Sequence, residues 1–225
     1  MFRTPITASI LGLALLTVGA GCRSSEPESP QTHMAAGHMP AAAHEGHDMD
    51  MSAGERQRPD FAHKGLVILD KVPEVPQAFT SALGVAVDDY YGIAQAFASD
   101  DSAAATSAAK AMLARVEAID DAGLGTDAAA AWKSHREVLR ASLHQLMEAE
   151  GIAGKRQHFS HASEAMYCAV RSFGGVSGAV EVAHCPMAFG DVGAYWLARD
   201  KTIANPYLGK SMPTCGTIEE TLAAR

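Results

Sequence analysis

The chain has 225 residues, which at roughly 100–200 residues per domain leaves room for one ordinary domain and excludes a multidomain machine. Its apolar fraction is 48%, yet aromatics are only 6% and 43 residues are Ala, so the hydrophobicity is mostly small and helix-favouring and disfavours a β-sandwich or barrel. A formal net charge of −8 argues against a nucleic-acid partner, which would call for a basic patch or stripe.

Residues 1–22 carry one positive charge at Arg3, an apolar stretch from Ile6 to Val18 and then small residues. This pattern predicts a secretory signal, too short for a membrane span. Cleavage after Ala20 fits Val18-Gly19-Ala20; alternatively Gly19-Ala20-Gly21-Cys22 resembles a bacterial lipobox, with Cys22 lipidated and serving as a membrane anchor. The expected location is the periplasm or an outer-membrane lipoprotein.

From Arg23 onward the chain is rich in Ser, Pro, Gly and Ala, with no aromatic before Phe61. Such a segment buries too little apolar surface to offset its ordering entropy, so residues 23–76 are expected to be a disordered linker. Val72-Pro73-Glu74-Val75-Pro76 then imposes an extended approach to the folded part, residues 77–225.

Helical spacing predicts four helices: about 77–98 (Phe79, Leu83, Val87, Phe97), about 103–119 (Met112, Leu113, Val116), about 128–150 (Trp132, Leu139, Leu143, Leu146) and about 153–173 (Phe159, Met166, Val170, Phe173). Short connections favour a mainly α fold, an up-down-up-down four-helix bundle. Gly174-Gly175 ends the last helix, and Ala179 to His184 alternates as a short strand within an irregular, loop-rich tail. Thr217 to Ala224 is expected to make two helical turns.

Ten His, ten Met and four Cys stand out. Eight of them crowd into nineteen residues: His33, Met34, His38, Met39, His44, His47, Met49 and Met51. Imidazole suits several metals, but thioether sulfur is soft, so the mixture selects copper, above all Cu(I). Thioether also stays unprotonated in acid, whereas His loses affinity below about pH 6.5. A second group lies in the tail: His184, Cys185, Met187, Met212 and Cys215. Two thiolates with nearby thioethers suit Cu(I), while in an oxidising compartment Cys185 and Cys215 can equally close a plain disulfide. Cys168 reads as core. No nucleophile elbow, zinc-protease helix, phosphate loop or haem-attachment motif is present, so no enzyme is expected.

Cys185-Pro186-Met187-Ala188, Trp196-Leu197 and Ile203-x-Asn205-Pro206-Tyr207-x-Gly209-x-x-Met212-x-x-Cys215-Gly216 together resemble an uncharacterised domain. That domain is found fused to periplasmic adaptor subunits of heavy-metal efflux systems, and alone in secreted or lipoprotein form. The resemblance runs from roughly Phe79 to the C-terminus, with Trp132 and Arg156-x-x-Phe159-Ser160 in its helical part. Cys185, Met187, Met212 and Cys215 match its motif by position; Cys168 lies outside it. It implies an extracytoplasmic helical domain tied to copper or related heavy metals. The expected function is thus a Cu(I) chaperone or buffer, with silver or zinc as other candidate ions and an efflux adaptor or another periplasmic copper protein as partner. The alternative is a non-catalytic interaction domain of an efflux system with a Cys185–Cys215 disulfide.

Overall fold

Apolar residues at helical spacing build four long helices in the order expected. A computed structural model describes residues 59–224, with α1 at Gln77–Ala98, α2 at Ser102–Ala118, α3 at Thr126–Glu148 and α4 at Gly151–Phe173. Pro76 precedes α1, where its missing N–H costs nothing. Asp101 caps α2 by accepting the Ala104 N–H at 2.8 Å. Gly174, at φ 69°, ends α4 in a conformation that only glycine adopts freely. Consecutive helices pack on one another, and α1 also meets α4. Phe79, Trp132 and Phe173 meet edge to face at ring separations of 5.1–6.3 Å. Buried Ala105 and Ala109 keep α2 thin. Among the described residues no helix is long and apolar enough to cross a membrane.

The tail is more regular than its sequence suggests. It forms a three-stranded antiparallel sheet in the order β2-β1-β3, from β1 (Val180–Cys185), β2 (Ala194–Ala198) and β3 (Thr217–Leu222). The expected closing helical turns are therefore the strand β3. Its β-branched Thr217, Ile218 and Thr221 suit a pleated surface, and pairing with β1 outweighs the weak helical preference of so short a segment. The protein is mainly helical with a small C-terminal antiparallel sheet.

The sheet docks on α4 through Glu220, which accepts the Tyr167 hydroxyl at 2.8 Å and pairs with Arg171. Deeper in, the Tyr90 hydroxyl accepts the Leu197 N–H at 3.1 Å and shares a 2.8 Å hydrogen bond with Ser163. The Tyr207 hydroxyl donates to the Tyr195 carbonyl. These two tyrosines occupy backbone groups of Tyr195 and Leu197 on the edge strand β2.

Residues 59–76 fall within the expected linker, yet they run across the helices as an ordered strap. Phe61 and Leu66 are buried, and Phe61 packs edge to face on Tyr167 and Tyr195 at 6.0 Å. Lys64 reaches Glu164 at 2.6 Å, the Val67 carbonyl meets His135 Nε2 at 2.7 Å, and the Leu69 N–H bonds Ser172 at 3.1 Å. A few anchors on distant helices thus order a strap whose local sequence carries little periodicity. The rest of the expected linker and the signal lie outside the described residues.

Candidate functional site

Strand alternation decides which tail residues can meet, because neighbours along a strand face opposite ways. Ala183 pairs with Trp196 and Cys185 with Ala194, so Cys185 and Trp196 share one face of the sheet, while His184 and its partner Tyr195 share the other. The loop before β3 covers the Cys185 face. Its Gly216 has φ 139°, and a Cβ there would lie 2.7 Å from the Trp196 ring and 2.9 Å from the His184 carbonyl. Only glycine allows the loop to sit this low. The result is that Cys215 Sγ lies 3.0 Å from Cys185 Sγ, thirty residues away in the chain.

The pair is asymmetric. Cys185 is 0% exposed and part of the core, whereas Cys215 is half-buried and follows four exposed residues, Ser211–Thr214. The hydrogen bond with Cys185 is the largest influence raising the Cys215 thiol above its ordinary range, against a smaller, opposing influence of the Met187 backbone. Met187 and Met212 are 46% and 40% exposed and each lies within three residues of a thiol in the chain.

Buried polar groups fix the loop. Asn205 is 0% exposed. Its Nδ2 donates to the Cys215 carbonyl at 2.6 Å, its N–H donates to the Pro213 carbonyl at 2.9 Å, and its Oδ1 accepts from the Tyr207 and Leu208 N–H groups at 2.8 and 2.9 Å. One side chain therefore satisfies both sides of the segment carrying Met212 and Cys215. Farther back, Arg156 binds Asp100 at 2.6 Å, the Phe97 carbonyl at 2.6 Å and the Pro206 carbonyl at 2.8 Å. Asp100 also accepts the Lys210 N–H at 3.2 Å, and the Arg156 guanidinium holds its carboxyl below the usual carboxylate range. The site loop is thereby tied to the α1–α2 turn.

Of the tail residues read as ligands, Cys185 and Cys215 come together, while Met187 and Met212 are exposed and lie two and three residues from them along the chain. His184 does not join them. Its ring stacks on Tyr195 at 4.3 Å on the opposite face, against Gly193, and burial lowers its basicity despite the opposing pull of Glu219. Cys168 is buried on α4, where burial pushes its thiol up to about 12. His33, Met34, His38, Met39, His44, His47, Met49, Met51 and Cys22 lie outside the described residues. Among the described residues no three His, Cys, Asp or Glu side chains are grouped to hold a metal. The donors brought together are thus two thiols, soft ligands that suit Cu(I) or Ag(I) better than harder ions.

Asn205 and Arg156 were legible as motif residues but not as the scaffold of the site. The signal was an Asn before Pro, the usual start of an Asx turn, in a segment that also supplies a thiol.

No curated protein and no solved structure matches this chain. Residues 86–178, from within α1 to the turn after α4, match the model of a family described as a protein of unknown function, DUF3347.

Proposed function

We propose that the protein is an extracytoplasmic copper-binding protein that holds Cu(I) at Cys185 and Cys215, with Met187 and Met212 as thioether donors, and serves as a chaperone or buffer in heavy-metal resistance. The observation that carries this reading is the pair of thiols 3.0 Å apart at the end of a strand, with an exposed methionine two or three residues along the chain from each. Metal–thiolate bonds of about 2.3 Å place two sulfurs on one tetrahedral ion at ~3.8 Å. The pair needs to open by less than an ångström or so, a shift available to a surface loop. Exposed thioethers give a departing ion its next ligands, which suits transfer rather than permanent storage. The tract from His33 to Met51 adds weaker, exchanging sites of the same soft character. Export and a lipid on Cys22 fit a role outside the cytoplasm, with an efflux adaptor or another periplasmic copper protein as the receiver. The helical half is read as an up-down-up-down bundle, supported by short connections between helices that pack in sequence order.

Anaerobic Cu(I) titration against a competing chelator tests the reading. The expected result is a high-affinity site abolished by Cys185→Ser with Cys215→Ser and weakened by Met187→Leu with Met212→Leu. Unchanged affinity in the double Cys variant overturns it.

A second reading is favoured by the complete burial of Cys185. A disulfide to Cys215 needs a further approach of only ~1 Å and would close a thirty-residue loop, stabilising the fold by roughly 3–4 kcal/mol in the chain-entropy model. The domain would then be an interaction module of an efflux system. Thiol counting on protein isolated from the cell envelope, with copper present, separates the two.

A further inference from the structure

We propose that Cys215 and Cys185 form a thiol–disulfide exchange pair of fixed polarity, in which Cys215 meets a small external disulfide and Cys185 resolves the adduct. Three observations carry it. Burial is one-sided: Cys185 lies in the core with 0% exposure, while Cys215 is half-buried and follows the exposed segment Ser211–Thr214. An external sulfur can reach only the outer thiol. The resolving sulfur already waits 3.0 Å from its target, so the second step needs no opening of the core. The Cys215 N–H bond to the Met212 carbonyl at 3.2 Å and the Asn205 bond to the Cys215 carbonyl at 2.6 Å hold the outer thiol in place over the inner one.

The chemistry balances with a disulfide of the glutathione class as oxidant. The Cys215 thiolate attacks glutathione disulfide; a new S–S bond joins Cys215 to one glutathione, and the other leaves as a thiolate that takes up the proton lost from Cys215. The Cys185 sulfur then attacks Cys215 Sγ and displaces the second glutathione, which takes the proton lost from Cys185. Two protein thiols are oxidised by two electrons while one disulfide becomes two thiols. A consequence for the metal rests on the copper reading above: the closed bond consumes both thiolate donors, so oxidation releases Cu(I) and reduction restores the site.

The experiment treats reduced full-length protein with glutathione disulfide under metal-free conditions and maps adducts by peptide mass spectrometry, with urea melts confirming that each variant is folded. Cys185→Ser is expected to accumulate a stable glutathione adduct on Cys215. In Cys215→Ser, Cys185 is expected to react slower by roughly 100-fold or more, as a buried thiol that must await local opening. The wild type passes to a Cys185–Cys215 disulfide without retained glutathione. Comparable reactivity of Cys185 in Cys215→Ser, or failure of Cys215 to form an adduct in folded Cys185→Ser, overturns the polarity. A separate arm compares Cu(I) affinity of the oxidised and reduced wild type. Loss of at least tenfold on oxidation supports the coupling; equal affinity overturns the coupling and the copper reading, while the exchange pair stands or falls on the glutathione result alone.

Discussion

His135 offers a direct test of how the strap is held on the helices. Its ring is 0% exposed, bonds the Val67 carbonyl through Nε2 at 2.7 Å, and lies edge to face with Phe173 at 6.1 Å, while Nδ1 has no partner. A buried imidazole with an unpartnered nitrogen resists a second proton, and burial lowers its pKa from 6.5 to about 4 against the smaller, opposing effect of the Val67 bond. The folded pKa is thus depressed, so as pH falls below 6.5 the unfolded chain takes the proton first. Stability is flat above that pH and is lost between about 6.5 and about 4, with a limiting slope of about 1.4 kcal/mol per pH unit and a total of roughly 3 kcal/mol. His135→Gln keeps a donor for Val67 and removes the titration. Urea denaturation followed by circular dichroism at pH 4, 5, 6 and 7 provides the comparison. The wild-type stability relative to His135→Gln is expected to fall by roughly 3 kcal/mol from pH 7 to pH 4. Other histidines whose basicity burial lowers, His161 and His184, titrate in both proteins and cancel in the difference. Parallel pH profiles for the two proteins would refute the reasoning.

The site loop yields further expectations. Asn205→Asp places a carboxylate oxygen against the Cys215 carbonyl where a donor now lies at 2.6 Å, so it should cost about 2–3 kcal/mol in a urea melt and weaken Cu(I) binding in the chelator competition; no change in either measurement contradicts the role given to it. Gly216→Val drives a side chain into the Trp196 ring at a position with φ 139°, and should raise thiol accessibility, read as faster labelling of Cys185 by a maleimide. Arg156→Met removes three hydrogen bonds and takes the guanidinium donor from the buried Pro206 carbonyl, while the Phe97 carbonyl keeps the Asp100 N–H at 3.1 Å, for a loss of roughly 2–4 kcal/mol by thermal or urea unfolding. Asp100→Asn should destabilise less, since Asn tolerates the φ of 57° at that position and keeps an oxygen toward Arg156.

The helices were legible because their signal is local. Phe79, Leu83, Val87 and Phe97 recur at a helical period and all are buried on α1, and Gly174 marks the end of α4 where its positive φ is needed. What was not legible depends on partners distant in sequence. Phe61 stands alone in a polar stretch and is ordered by Tyr167 and Tyr195, more than a hundred residues away. Thr217–Leu222 is short enough for either state, and only pairing with β1 makes it a strand. The approach of Cys215 to Cys185 was suggested by residue chemistry, and Gly216 and Asn205 are the physical means. His184 shows the opposite limit: one residue from Cys185 in sequence, it is turned to the far face by the two-residue period of the strand.

On the proposed copper reading, the strongest copper ligands are the Cys185 and Cys215 thiols, with Met187 and Met212 as thioether donors. Copper K-edge X-ray absorption on full-length reduced protein carrying one equivalent of Cu(I) tests it most directly, because the first equivalent occupies the tightest site. The expected spectrum shows a sulfur-only first shell that disappears when Cys185 and Cys215 are both replaced by Ser. A first shell containing imidazole nitrogen, unchanged by that substitution, would contradict the claim.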